Sequence, residues 1–122
     1  MSMIESLIAH LFFLRELAHR AHLRTTSFAQ HMALGEFYTG IGERADAIAE
    51  AYMGRDGKLL GPIPFVIDQP SGDIIADITV QRDWIDANRS GEECLDRSEI
   101  QNLVDEAVSA IDGVLYKLTF LS

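Results

Sequence analysis

The sequence predicts an all-α protein: a four-helix bundle with one long crossover and a shortened third helix, in a single domain over residues 1–122. Three observations predict it. Apolar residues recur at helical spacing in four separate windows. A polar link, Thr25-Thr26-Ser27, ties the first two windows into a hairpin. A stretch rich in Gly and Pro, long enough to run the length of a bundle, separates the second window from the third, leaving those two helices parallel.

The first helix is predicted over residues 3–24, where Ile4, Leu7, Ile8, Leu11, Leu14, Ala18 and Ala21 form one stripe and Arg15, Glu16 and Arg20 fall outside it. The link residues are good N-caps, so a second helix is predicted from Phe28 to Met53 through Leu34, Tyr38, Ile41, Ala45, Ile48, Ala49 and Tyr52. Gly35, Gly40 and Gly42 interrupt it, each costing about 1 kcal/mol relative to Ala. Such a cost is understandable where another helix must come close. Gly54-Arg55-Asp56-Gly57 ends the helix, and the connection with Pro62, Pro64 and Pro70 runs to Gly72. The third helix spans about 73–89, with Ile74, Ile75, Ile78, Trp84 and Ile85. Asp96 with Glu99 reads as a capping box for the last helix, whose stripe runs from Ile100 to Leu121.

Composition narrows the function. The 122 residues carry 10 Lys+Arg against 19 Asp+Glu, a formal net charge of −9, and a hydrophobic share of 48%. That is ordinary globular composition, with no basic patch for a phosphate backbone, so no nucleic-acid partner is expected. The apolar run Leu7–Leu14 contains His10 and is far short of a membrane span. No membrane partner is expected either. The lone cysteine, Cys94, excludes an intrachain disulfide and fits a reducing, cytoplasmic compartment. Acidic neighbours disfavour its thiolate.

Charge is unevenly placed: five Arg face six acids through Arg55, and five bases face thirteen acids beyond it. All four histidines, His10, His19, His22 and His31, lie in the first 31 residues. The hairpin reads Glu16-x-x-His19-x-x-His22, then His31, then Asp46-x-x-x-Glu50. Imidazole and carboxylate suit iron, manganese or zinc. Helical spacing puts Glu16, His19 and His22 on one face of the first helix, and Asp46 and Glu50 on one face of the second. Across the turn, His22 and His31 sit at similar depth, with His19 one turn deeper. From His31 to Asp46 is fifteen positions, about 22 Å of continuous helix. The carboxylates can join the histidines only through a second copy of the chain, its second helix antiparallel about a two-fold axis near Gly40.

The stretch His19–Glu50, with Phe28, His31, Tyr38, Asp46 and Ala49-Glu50, resembles the ferroxidase segment of the Dps-type branch of the ferritin-like superfamily. The segment Ile111–Leu121, with Leu115-Tyr116-Lys117-Leu118, is similar to that family's last helix. A looser resemblance is to short ferritin-like proteins encoded by tailed phages. The resemblance implies a homo-oligomer, at least a two-fold dimer, in the cytoplasm (the host's if phage-encoded). It implies an iron site, or one for another divalent metal such as Zn or Mn, made by His19 or His22 with His31 of one subunit and Asp46 and Glu50 of its mate. An active member of that family is a ferroxidase-like oxidoreductase.

Either helix-one histidine can open the motif: His19 fits without a gap, and His22-Leu23 fits with a shortened turn. Departures from the family pattern are Gly35 where many members carry an acid, a truncated third helix, and the absence of a lysine-rich tail. Glu-x-x-His occurs once, at Glu16 and His19, and the last helix has no histidine for a second copy, which disfavours a di-iron site inside one bundle. The competing reading is a non-catalytic helical oligomer, phage-encoded, in which the histidines form a polar interface patch and Asp46 and Glu50 pair with Arg44 or a partner's arginine. His10, Phe12, Phe13, Phe37, Tyr52 and Trp84 read as core or interface residues.

Overall fold

Four helices form where the apolar periodicity places them. A computed structural model describes residues 2–121. Helix α1 spans Met3–Arg24, α2 Phe28–Asp56, α3 Ile74–Asn88 and α4 Ser98–Phe120. No strand occurs among the described residues. The α1 stripe is buried from Ile4 to Ala18, and the α2 stripe is buried at Leu34, Ile41, Ala45, Ile48 and Tyr52. Together with Ile78, Ile85, Ile100, Val104 and Ile111 they make one core. Dehydrating these side chains is the main force holding the helices together.

The helices form a ring in which α1 touches α2 and α3, and α4 touches α2 and α3. The long connection follows α1 from end to end. At its start the Gly61 amide donates to Glu5 of the first α1 turn at 2.9 Å. Further on, Ile63–Val66 lie along Phe12–Glu16, and Pro70 and Gly72 reach Leu17–Arg24. Helix α3 therefore starts beside the end of α1 and runs antiparallel to it. His10 on α1 meets Gln81 and Trp84 of α3, and the Met3 amide reaches Glu92. Helix α4 returns antiparallel to α2, with Glu99 near Arg55 at one end and Lys117 near Glu36 at the other.

Local chemistry sets the helix ends. Ser27 accepts from the Gln30 amide, and Asp73 accepts from the amides of Ile75 and Ala76, satisfying donors that the first helical turn leaves open. Helix α2 runs three residues past the predicted end, through Gly54 to Asp56. It stops at Gly57, whose φ of 81° is the left-handed conformation that glycine tolerates.

The predicted capping box on α4 is corrected by the structure. The N-cap is Arg97, whose side chain makes no capping bond. Asp96 instead accepts from the Gly91 amide at 2.8 Å, closing the turn between α3 and α4. A further anchor there is Gln101, which donates to the Leu95 carbonyl and accepts from Arg89 while Leu95 is fully buried. The tertiary pull on Leu95 outweighs the local preference for a box.

Candidate metal centre

The turn between α1 and α2 brings two of the five candidate ligands, His22 and His31, into contact and leaves a third, His19, close by. His22 and His31 stack with ring centroids 3.8 Å apart and planes 20° from parallel. Each ring bonds the other's backbone: His22 Nδ1 lies 2.7 Å from the His31 carbonyl oxygen, and His31 Nδ1 lies 2.9 Å from the His22 carbonyl oxygen. A carbonyl only accepts, so both Nδ1 atoms carry the proton and, in the neutral rings, both Nε2 atoms carry the lone pair. Metal-binding histidines are commonly held this way, with the second nitrogen fixed by a backbone carbonyl.

His19 lies one turn deeper, its ring 6.3 Å from that of His22. It stacks on Tyr38 at 4.1 Å and 8°. Tyr38 also lies 5.4 Å from His22, so the phenol ring backs both helix-one histidines. His31 is exposed, while His19 and His22 are half-buried.

Gly35 makes room for this arrangement. A Cβ there would sit 3.0 Å from His22 Cε1 and 3.2 Å from Nδ1. Gly35 is thus the seat of an imidazole. Two of the other three α2 glycines face side chains of their own chain, Arg44 over Gly40 and Arg15 beside Gly42, while Gly54 faces open space.

Asp46 and Glu50 are exposed and remain apart from the histidines. Helix α2 is continuous from Phe28 to Asp56, so the fifteen residues from His31 to Asp46 span about 22 Å. Arg44 forms no ion pair with either acid among the described residues. Nor do three His, Cys, Asp or Glu side chains of one chain converge as a metal cage among those residues.

The donor set has one geometric restriction. A metal lies in the plane of the imidazole that binds it, about 2.0–2.1 Å from the nitrogen. Two rings stacked 3.8 Å apart and near parallel cannot both hold the same ion in their planes. The stacked pair therefore offers donors to separate ions, each needing further ligands from elsewhere, or one ring must swing out.

The remaining singled-out residues have structural roles. His10 Nδ1 is 2.6 Å from Gln81 Oε1, and its ring stacks on Trp84 at 3.6 Å. Gln81, buried against it, carried no sequence signal beyond a polar residue on an apolar face. Burial first, then Asp56, pushes the Cys94 thiol above its ordinary range, and the thiol points to the Tyr52 carbonyl. No helix among the described residues is long and apolar enough to cross a membrane.

Comparison with known proteins adds one match. A family model described as a family of unknown function (DUF5856) matches residues 22–118. No curated protein and no solved structure matches.

Proposed function

The chain belongs to the family of unknown function DUF5856, so its function has to be read from the site itself, and we propose a ferritin-like, Dps-related protein that binds a divalent metal between two copies. The observation that carries this reading is the reciprocal anchoring of His22 and His31, which leaves two Nε2 donors at one end of the hairpin. Exposed Asp46 and Glu50 stand about four and five turns beyond His31 along the same helix. An antiparallel second copy would bring its carboxylates to these imidazoles and neutralise the ion. The helix order, with a long connection along α1, supports a ferritin-like bundle.

In this reading His31 holds the metal through a ring nitrogen, joined by His19 or, once its ring swings out of the stack, by His22, and Asp46 and Glu50 of the mate complete it. Iron is the first candidate, with Zn or Mn as alternatives. Bound iron would supply Fe(II) oxidation by dioxygen or peroxide. The lone, non-disulfide cysteine supports a cytoplasmic setting, that of the host if the protein is phage-encoded.

A second reading is a non-catalytic helical oligomer, and two observations favour it. The histidine rings are stacked rather than splayed, as an interhelical clamp would be. Apolar side chains stand exposed at Phe28, Phe65 and Ile67, a surface suited to protein contacts.

Metal analysis separates the two. Wild-type protein loaded with Fe(II) or Zn(II) and desalted is expected to retain metal and to sediment as a dimer or larger. His31→Ala combined with Asp46→Ala should lose that metal, and a mixture of the two single variants should regain part of it through hybrid dimers. Equal metal content in wild type and double variant would favour the helical oligomer.

A further inference from the structure

Half a turn around α2 from the histidines lies a second feature, since Gly40 is nine positions from His31. A cleft between α2 and α4 is lined by Ala33, Gly40, Ala110 and Gly113, together with the cations Arg44 and Lys117. In a chain of net charge −9, Arg44 is half-buried, and no carboxylate among the described residues lies within ion-pair distance of it. Its Nη1 donates to the Gly40 carbonyl at 3.3 Å, and its Nε is buried without a hydrogen-bond partner. A buried donor left unpaired is costly, and native proteins leave few.

The guanidinium is also held in place by design of the backbone beneath it. A Cβ on Gly40 would lie 2.9 Å from Arg44 Nη1, so only glycine lets the side chain lie flat on α2. Glycine inside a helix weakens it. The chain thus gives up helix propensity to bed a cation that has no anion of its own.

Lys117 enters the cleft from α4 and reaches Glu36, one turn (about 6 Å) before Gly40, at 3.5 Å. The Glu36 side chain is 78% exposed, so the pair is a loose surface contact and leaves the ammonium available.

We propose that the α2/α4 cleft binds an oxyanion, a carboxylate or a phosphate, between the Arg44 guanidinium and the Lys117 ammonium. A planar guanidinium presents paired donors that match two oxygens of such a group, and an oxyanion on its Nε edge satisfies the orphaned nitrogen. The anion is either a free small molecule or a carboxylate side chain of a second copy. This inference uses none of the proposed metal ligands, although Lys117 and Glu36 also line the pocket beside His22 and His31.

The test follows the Arg44 Nε–H resonance of the full-length protein by NMR. Sodium phosphate is titrated at constant ionic strength against a sodium chloride control. A free anion predicts a saturable shift with phosphate. A side chain from a second copy predicts instead a shift with protein concentration that tracks dimerisation in sedimentation. In either case Lys117→Gln should weaken the response by up to about fivefold. Glu36→Gln should strengthen it, by removing the competing carboxylate.

Gly40→Ala keeps the charge and the fold but displaces the guanidinium. It should weaken binding several-fold while thermal stability holds or rises. Arg44→Gln should abolish the phosphate- or concentration-dependent shifts of neighbouring amides at Gly113 and Val114. The proposal is overturned if the Nε–H resonance responds saturably to neither phosphate nor protein concentration. It is equally overturned if Gly40→Ala and Lys117→Gln respond as wild type does.

Discussion

A single missing side chain decides the shape of the candidate centre. Gly35 leaves the space that the His22 ring occupies, and the ring in turn bonds the His31 carbonyl. Gly→Ala on a half-buried helical site ordinarily stabilises by about 1 kcal/mol. At Gly35 that gain should vanish, because the new Cβ pushes against the imidazole. Urea unfolding together with histidine 15N spectra checks this. A full stabilisation with the His22 tautomer unchanged would refute it. Gln81 is another residue with a specific role: it is 2% exposed, its Oε1 accepts from His10 Nδ1–H, and its Nε2 donates to Asp68 at 3.5 Å. Gln81→Leu should cost about 1–3 kcal/mol in denaturant unfolding, since the half-buried His10 loses its acceptor.

At the level of the helices, the ends differ in how well they are finished. Asp73 caps α3 with two bonds, so Asp73→Ala should cost about 1 kcal/mol. Helix α4 has no capping side chain at Arg97, so Arg97→Ser should raise stability by roughly 0.5–1 kcal/mol. Thermal unfolding of the two variants should move in opposite directions, and a loss on Arg97→Ser would mean that Arg97 holds the end of α4 by another contact. The Asp96/Glu99 pattern misled because sequence spacing cannot tell a cap from a loop acceptor. Burial of Leu95 pulls the turn inward and hands Asp96 to Gly91. The apolar stripes, by contrast, were legible, because a period near 3.6 has no other use in a globular chain.

Across the whole molecule, one carboxylate ties the crossover to the bundle. Burial alone would raise the Glu5 pKa above its usual range, but hydrogen bonds from Ser2 and the Gly61 amide outweigh it and hold the pKa lower. A folded value below the unfolded one means that the contribution to stability is present above about pH 4.3 and is lost as pH falls through the lowered value. Glu5→Gln should therefore be less stable than wild type near neutrality, and the gap should narrow on acidification below about pH 4. Urea unfolding across a pH series measures it. A gap independent of pH would show that Glu5 acts through packing alone.

The residues of the chain, read alone, determined its helices, the hairpin, the long connection and the clustering of histidines near one turn, since each follows from short-range spacing. They also determined that His31 and the pair Asp46 and Glu50 cannot meet within one subunit, since helix rise is fixed at about 1.5 Å per residue. Tertiary structure decided what spacing leaves open. It chose which imidazole nitrogens face carbonyls, that His22 and His31 stack, that Gly35 seats a ring, and that Arg44 lies over Gly40 without an anion. These depend on rotamers and on contacts between distant segments, and a side chain's partner is settled only when the whole core has packed around it.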